Sequence, residues 1–305
     1  IYMAIRRPTK VPESATEVFN ISTRLSTSPR AYAGFAVDGF LRRNDINQTG
    51  DPYMAARITA GGLLTNSTAV EFSQGTDFFA NSNGLFNGTG TAETTDYYWM
   101  WKRAPNFFDV VAYTGLNSAM TVSHNLAAVP EMMWVKTRST SDDWAVYHSA
   151  LGNTDNLFLN ATNATASRIY WNNTTPTDTQ FYLGDHSKVS AANNYIAYLF
   201  ASLDGISKVG SYTGNGSSQT IDCGFTSGAR FILIKRTNST GDWYVWDTER
   251  GIVAGNDPHL SLNTTAAEVT TDDSIDPDSS GFIVNQVSAT NINVSSAEYI
   301  FYAIA

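Results

Sequence analysis

Four aspartates, Asp272, Asp273, Asp276 and Asp278, crowd a loop ahead of Gly281, and oxygen-rich loops of this kind can hold calcium. Their spacing departs from the regular Asp-x-Asp-x-Asp-Gly loop, and the matching stretch Thr175-Pro176-Thr177-Asp178 has one carboxylate, so a solvated turn is the better reading. His124, His148, His186 and His259 form no His-x-x-x-His or His-x-His pair that could ligate zinc from one element. Cys223 is the only cysteine, which excludes an intrachain disulfide and a Cys-based metal site, and Ile221 and Phe225 beside it suggest a buried strand thiol. No metal or cofactor is expected. The chain also has no Gly-x-Ser-x-Gly elbow and no phosphate-cradling Gly-x-x-x-x-Gly-Lys-Ser/Thr loop, which disfavours serine hydrolases of that type and P-loop NTPases. A glycosidase needs only two facing carboxylates from distant segments. The 28 Asp and Glu residues leave that open, although they cluster in turn-forming stretches, and no catalytic residue is assigned.

Sugar rings stack on exposed Trp and Tyr beside Asp or Asn acceptors, so Tyr147-His148 and Trp246-Asp247 are the carbohydrate-binding candidates, with core packing as the alternative. Asn-x-Ser/Thr sequons are numerous and include Asn66, Asn160, Asn163, Asn172, Asn173, Asn238 and Asn263. They read as by-products of Asn/Thr-rich turns, with glycosylation left open because three recur at one position of a repeat.

The elements that must position these residues are announced by four similar stretches: Ile1–Arg7, Tyr97–Arg103, Tyr195–Ala201 and Tyr299–Ala305. Each is aromatic and β-branched with almost no polar alternation, the pattern of a strand buried on both faces, so they are expected to be central strands. Their spacing of roughly a hundred residues marks a tandem array. The bodies are expected at residues 9–105, 106–205 and 206–305, the first the most divergent, with residues 1–8 a closing strand left over at the start.

The last two bodies align closely. Met133-Trp134-Val135-Lys136 matches Ile232-Leu233-Ile234-Lys235, and both read as core strands ending at the surface. Asp143-Trp144-Ala145-Val146 matches Asp242-Trp243-Tyr244-Val245, with one face in the core. The turns after Leu157 and Leu260 match each other and the first body's Leu63-Leu64-Thr65-Asn66. Pro52 stands in the first body's equivalent of the tryptophan strand, which is therefore expected to be an edge or to begin after the proline. Seven or eight short turn-bounded strands per body, with no helical period, predict an all-β fold of three tandem β-sandwich repeats of the jelly-roll or concanavalin-A-like kind.

The net charge of −9 and the absence of a Lys/Arg stripe argue against nucleic acid, and no apolar run is long enough for a membrane helix. At the residues quoted above, the chain resembles tandem modules found in tail-fibre and other virion proteins of tailed phages, many from marine hosts. That resemblance implies concanavalin-A-like, lectin-like sandwiches in a virion or extracellular protein. It further implies a homo-oligomer, a trimer or another virion assembly, that meets other virion proteins and host surface glycans without enzymatic activity. Repetition would turn weak contacts into avidity. The alternatives are a polysaccharide depolymerase of the tail and a subunit of an extracellular or cell-surface filament. The leftover strand, with Tyr2, Met3, Ala4 and Ile5 at its centre, needs a sheet edge: it either closes a further upstream body or adds to a neighbouring subunit as an assembly strand.

Overall fold

The computed structural model describes residues 10–305 except 45, 48, 60, 74, 75 and 88 and the side chain of 76. The proposed assembly strand Tyr2–Ile5 lies outside the described residues. The chain is all-β, and among the described residues helix is limited to four short 3-10 turns. None is long and apolar enough to cross a membrane.

Among the described residues twenty-four strands follow in three successive groups. The first holds β1 (Phe19–Arg24), β2 (Ala31–Tyr32), β3 (Gly39–Arg43), β4 (Pro52–Ala56), β5 (Gly61–Leu64), β6 (Phe72–Ser73), β7 (Gly84–Leu85) and β8 (Glu93–Trp101). The second holds β9 (Phe108–Thr114), β10 (Met120–Ser123), β11 (Met132–Thr137), β12 (Ala145–His148), β13 (Asp155–Phe158), β14 (Ala166–Ser167), β15 (Gln180–Leu183) and β16 (Asn194–Phe200). The third holds β17 (Ser207–Thr213), β18 (Gln219–Asp222), β19 (Phe231–Arg236), β20 (Trp243–Asp247), β21 (Leu260–Ser261), β22 (Ile275–Asp278), β23 (Gly281–Val284) and β24 (Glu298–Ile304).

Each group builds one large antiparallel sheet, and the strand order corresponds throughout: β1-β8-β3-β4-β5-β6, β9-β16-β11-β12-β13-β14 and β17-β24-β19-β20-β21. Each also builds a small sheet, β2-β7, β10-β15 and β18-β23-β22. The aromatic runs become β8, β16 and β24, each paired on both sides. The groups join through tight turns closed by the bridges Ala104↔Phe108 and Leu203↔Ser207. Asn106 and Gly205 occupy matching left-handed positions there, at φ 62° and 70°, a conformation that Asn and Gly adopt at least cost.

The period of two along a strand explains why these runs are apolar throughout. In β8, Tyr98 and Met100 turn toward the small sheet and pack with Phe40, Ala55, Ala31 and Leu85. In β16, Tyr195, Ala197 and Leu199 do the same with Met133, Val122 and Phe181. The alternate residues, Trp99 and Trp101 in one strand and Tyr198 and Phe200 in the other, enter a second core that runs through all three groups and includes Phe231 and Tyr302. Trp101 sits at its junction, with ring centroids 6.2 Å from Phe108, 6.4 Å from Phe200 and 5.8 Å from Phe231.

Three local expectations change. Strand β4 begins at Pro52 itself and is interior, between β3 and β5; the proline is tolerated because it opens the strand. The tryptophan strands are buried on both faces, since Trp144 and Val146 join the shared core while Ala145 and Tyr147 join the second group's own core. The strands ending in Lys136 and Lys235 do not end at the surface: both lysines are completely buried, because a loop of the neighbouring group closes over each.

Candidate functional site

The four carbohydrate candidates are all interior. Tyr147, His148, Trp246 and Asp247 are at most 2% exposed, so none offers a ring face or a carboxylate to a sugar. Tyr147 packs edge-on against Trp171, and Trp246 lies beside Tyr244 and His259. His148 accepts the Ala150 N–H through Nδ1, and burial lowers its pKa to about 4, which keeps it neutral. Asp247 accepts from Arg250 Nε at 2.7 Å and from Trp99 Nε1 at 2.9 Å.

The acidic loop is likewise consumed by its own structure. Asn285 Nδ2 bridges Asp273 Oδ1 and Asp276 Oδ2, Ser274 Oγ donates to Asp272, and Ser280 donates twice to Asp278. Among the described residues no three His, Cys, Asp or Glu side chains are placed to hold a metal ion. Cys223 is buried one residue past β18, and burial pushes its thiol up to about 12.

The three recurrent sequons have a structural role. The amide Nδ2 of Asn66, Asn160 and Asn263 donates to Asp51, Asp143 and Asp242, at 2.8, 2.8 and 2.7 Å. Asn160 and Asn263 also accept the backbone N–H of Trp144 and Trp243. A glycan would attach through that same Nδ2 and break the clamp. Asn160→Ala is expected to cost about 1–2 kcal/mol in urea unfolding, since it strands the Trp144 N–H and takes the amide donor from Asp143 Oδ1, whose other oxygen keeps Lys188. No loss would remove the clamp from the account.

The same turns build the junctions between groups. Lys136 Nζ donates to Thr68 O at 3.1 Å, Lys235 Nζ to Thr162 O at 2.9 Å, and Arg43 to Thr264 O and Thr265 O at 3.1 and 2.8 Å. Backbone bonds run alongside, Asp142 N to Thr68 O, Gly241 N to Thr162 O and Gly50 N to Thr265 O. Trp144 Nε1 donates to Leu64 O and Trp243 Nε1 to Phe158 O, both at 2.8 Å. In the first group, where Pro52 replaces the tryptophan, Thr65 Oγ1 donates to Leu262 O at 2.7 Å. The second group thus reaches into the first, the third into the second and the first into the third, so the contacts close a circle. The sequence signal was the lysine at the same offset in two aligned strands. Its meaning was hidden because the acceptors are backbone carbonyls from another part of the chain.

Burial lowers Lys136 and Lys235 to about 8 and Arg43 to about 10. A lysine whose folded pKa lies below its unfolded value of about 10.4 destabilises the fold fully below pH 8, and the cost is relieved as pH rises toward 10.5. Near pH 9 each contributes a stability slope of about 1 kcal/mol per pH unit. The difference in unfolding free energy between the native chain and the Lys136→Met/Lys235→Met variant should therefore change by about 2 kcal/mol from pH 8.5 to 9.5, with the native chain gaining. A pH-independent difference would refute the depressed pKa values.

Surface clefts lie at the junctions. One of about 460 Å³ sits where the first group meets the second, lined by Asp38, Arg103, Pro105, Asp109 and Asn125. Another of about 450 Å³ lies between Leu151 of the second group and Tyr212, Glu298 and Ile300 of the third. Sequence reading missed Asp38 and Asp109, which lie 71 residues apart in unrelated motifs.

A family model described as a domain of unknown function, DUF7483, matches residues 4–305. The match runs through all three strand groups as one unit. No curated protein matches the sequence.

Proposed function

We propose, for a chain that belongs to the DUF7483 family along all three of its strand groups, a non-enzymatic role as a virion structural protein. In this reading it is a tail-fibre or receptor-binding component that contacts host surface glycans. The groups are three copies of one sandwich unit, and the observation that carries the reading is the circle of corresponding junctions around a shared core. Such a closure fixes the copies rigidly and presents their loops together, which favours several weak contacts acting at once over a single deep site. Homo-oligomerisation and attachment to other virion proteins are part of the proposal. The resemblance of the Asp-Trp-x-Val and Tyr-Ile-x-Tyr strands to phage virion modules supports the setting.

The rival is a polysaccharide depolymerase, and the pair Asp38 and Asp109 in one cleft is what favours it. Both carboxylates are already engaged. Asp109 takes Arg103 Nε and the Asn125 N–H, and Asp38 takes the Arg103 N–H. Two measurements separate the readings. Immunogold labelling is expected on virion appendages, with purified protein adsorbing to host cells and releasing no reducing ends from their polysaccharide. Turnover, or a location on cellular filaments, would overturn the proposal.

A further inference from the structure

We infer that the cleft at the first junction, between Arg103 and Asn125, is a binding site for a neutral saccharide. The inference rests on the glycan-contacting reading above and gives it a place on the molecule. The walls come from both sides of the turn that joins the first two strand groups: Asp38 from the residue before β3, Arg103 and Pro105 from the turn, Asp109 from β9, and Asn125 from the segment after β10.

The polar groups are set before any ligand arrives. Asp109, 2% exposed, is fixed by Arg103 Nε at 2.5 Å and by the Asn125 N–H at 2.7 Å. Asp38 Oδ2 is fixed by the Arg103 N–H at 2.8 Å, and its Oδ1 lies 3.6 Å from Arg57 Nε. The Arg103 guanidinium is bound through Nε and about one-third exposed, so its outer nitrogens remain to donate, while the exposed Asn125 side chain brings an amide that both donates and accepts. The part-exposed Asp38 carboxylate beside a planar guanidinium and an amide matches vicinal hydroxyls, each of which gives one hydrogen bond and takes another, while the buried Asp109 serves to hold that guanidinium and the Asn125 backbone in place. Little side-chain freedom is left to lose on binding, which favours a small ligand.

Charge selects within that class. The two carboxylates face two guanidinium groups, Arg103 and Arg57, so the cleft is locally balanced, whereas the chain as a whole carries −9. A polyanionic glycan is repelled on approach and finds no surplus cation at the site. A neutral hexose or hexose dimer meets neither obstacle, and the 460 Å³ volume accommodates it.

The site is also confined to one junction. At the second junction Glu131 takes the place of Asp38 and accepts the Ser202 N–H, but Ser202 stands for Arg103, Lys208 for Asp109 and Gly224 for Asn125, so the same constellation does not recur there. One saccharide per chain is therefore expected.

The test uses the full chain and a panel of glucose, galactose, mannose and their α- and β-linked dimers, with sialic and hexuronic acids as the charged set. Saturation-transfer NMR and titration calorimetry are expected to find a neutral sugar bound in the millimolar range at one site per chain, weakened at least tenfold in Asn125→Ala. That variant keeps the backbone N–H on which Asp109 depends, so its fold should be unchanged, and Asn125→Trp, which fills the opening, should abolish binding. No binding across the neutral panel, a preference for the charged set, or binding unaffected by Asn125→Trp overturns the site. If cell adsorption persists in the Trp variant, the site fails while the proposed function stands. Binding followed by cleavage that Asp38→Asn stops would instead remove the non-enzymatic reading.

Discussion

A chain cut after residue 205 is expected not to fold. Phe19, Trp99 and Trp101 lose the Phe231 ring against which they pack at 5.5, 6.5 and 5.8 Å, and Phe200 loses Tyr302 at 5.1 Å. At about 2–3 kcal/mol for each large apolar side chain returned to water, these four alone amount to about 10 kcal/mol. That equals the net stability of a typical protein, before the lost carbonyl ties of Arg43 are considered. The truncated chain should therefore lack near-ultraviolet dichroism and dispersed amide resonances, while the intact chain should unfold in one calorimetric transition. A cooperatively folded fragment, or three separate transitions in the intact chain, would show that the shared core is a mere contact between independent domains.

The second large effect is expected at Asp247. Its carboxylate and the Arg250 guanidinium are 0% and 1% exposed, 2.7 Å apart, and Arg250 completes its bonds with Val245 O and with Glu268 at 3.3 Å. Trp99 both donates to Asp247 and lies under the guanidinium, at 5.6 Å from its ring centre. The pair thus ties the first strand group to the third. Asp247→Asn keeps the shape but takes from a buried cation its nearer counterion and leaves only Glu268 at 3.3 Å, and breaking such a buried pair on one side costs about 3–5 kcal/mol. Urea unfolding should show that loss at an unchanged m-value. Arg250→Met should lose a similar amount, and the double variant much less than the sum, because the second removal finds no partner left. Additive losses would mean that the two residues act separately.

Much of the fold was legible because it is written in periodicity. The uninterrupted aromatic runs at Tyr97, Tyr195 and Tyr299 announced strands covered on both faces, and they are central in their sheets. What covers the second face was not legible. Trp99 and Tyr98 look alike in sequence, yet one meets another strand group and the other meets its own small sheet. The lysine at the end of each core strand misled for a related reason. Lysine usually marks a surface, and only a loop delivered from elsewhere in the chain turns Lys136 and Lys235 into buried donors. The carbohydrate candidates are interior on the same ground: with both faces of β12 and β20 covered, Tyr147 and Trp246 have no outside to face. The cleft was invisible because Asp38, Arg103, Asp109 and Asn125 share no spacing. Only the pairing of strands and the turn at Asn106 bring them together.

The circle of junctions also sets a schedule. Arg43 must meet Thr264 across 221 residues of sequence, and Trp99 must meet Asp247 across 148. At about 5–20 residues per second, a ribosome needs roughly 10–45 s to travel from the first of those residues to its partner. Until the third group is made, Phe19, Trp99 and Trp101 of β1 and β8 lack the Phe231 ring that completes their packing. Contacts of such long range also slow the search itself. Closure of the circle is therefore timed by the third group, and the earlier strands wait for β19 and β24.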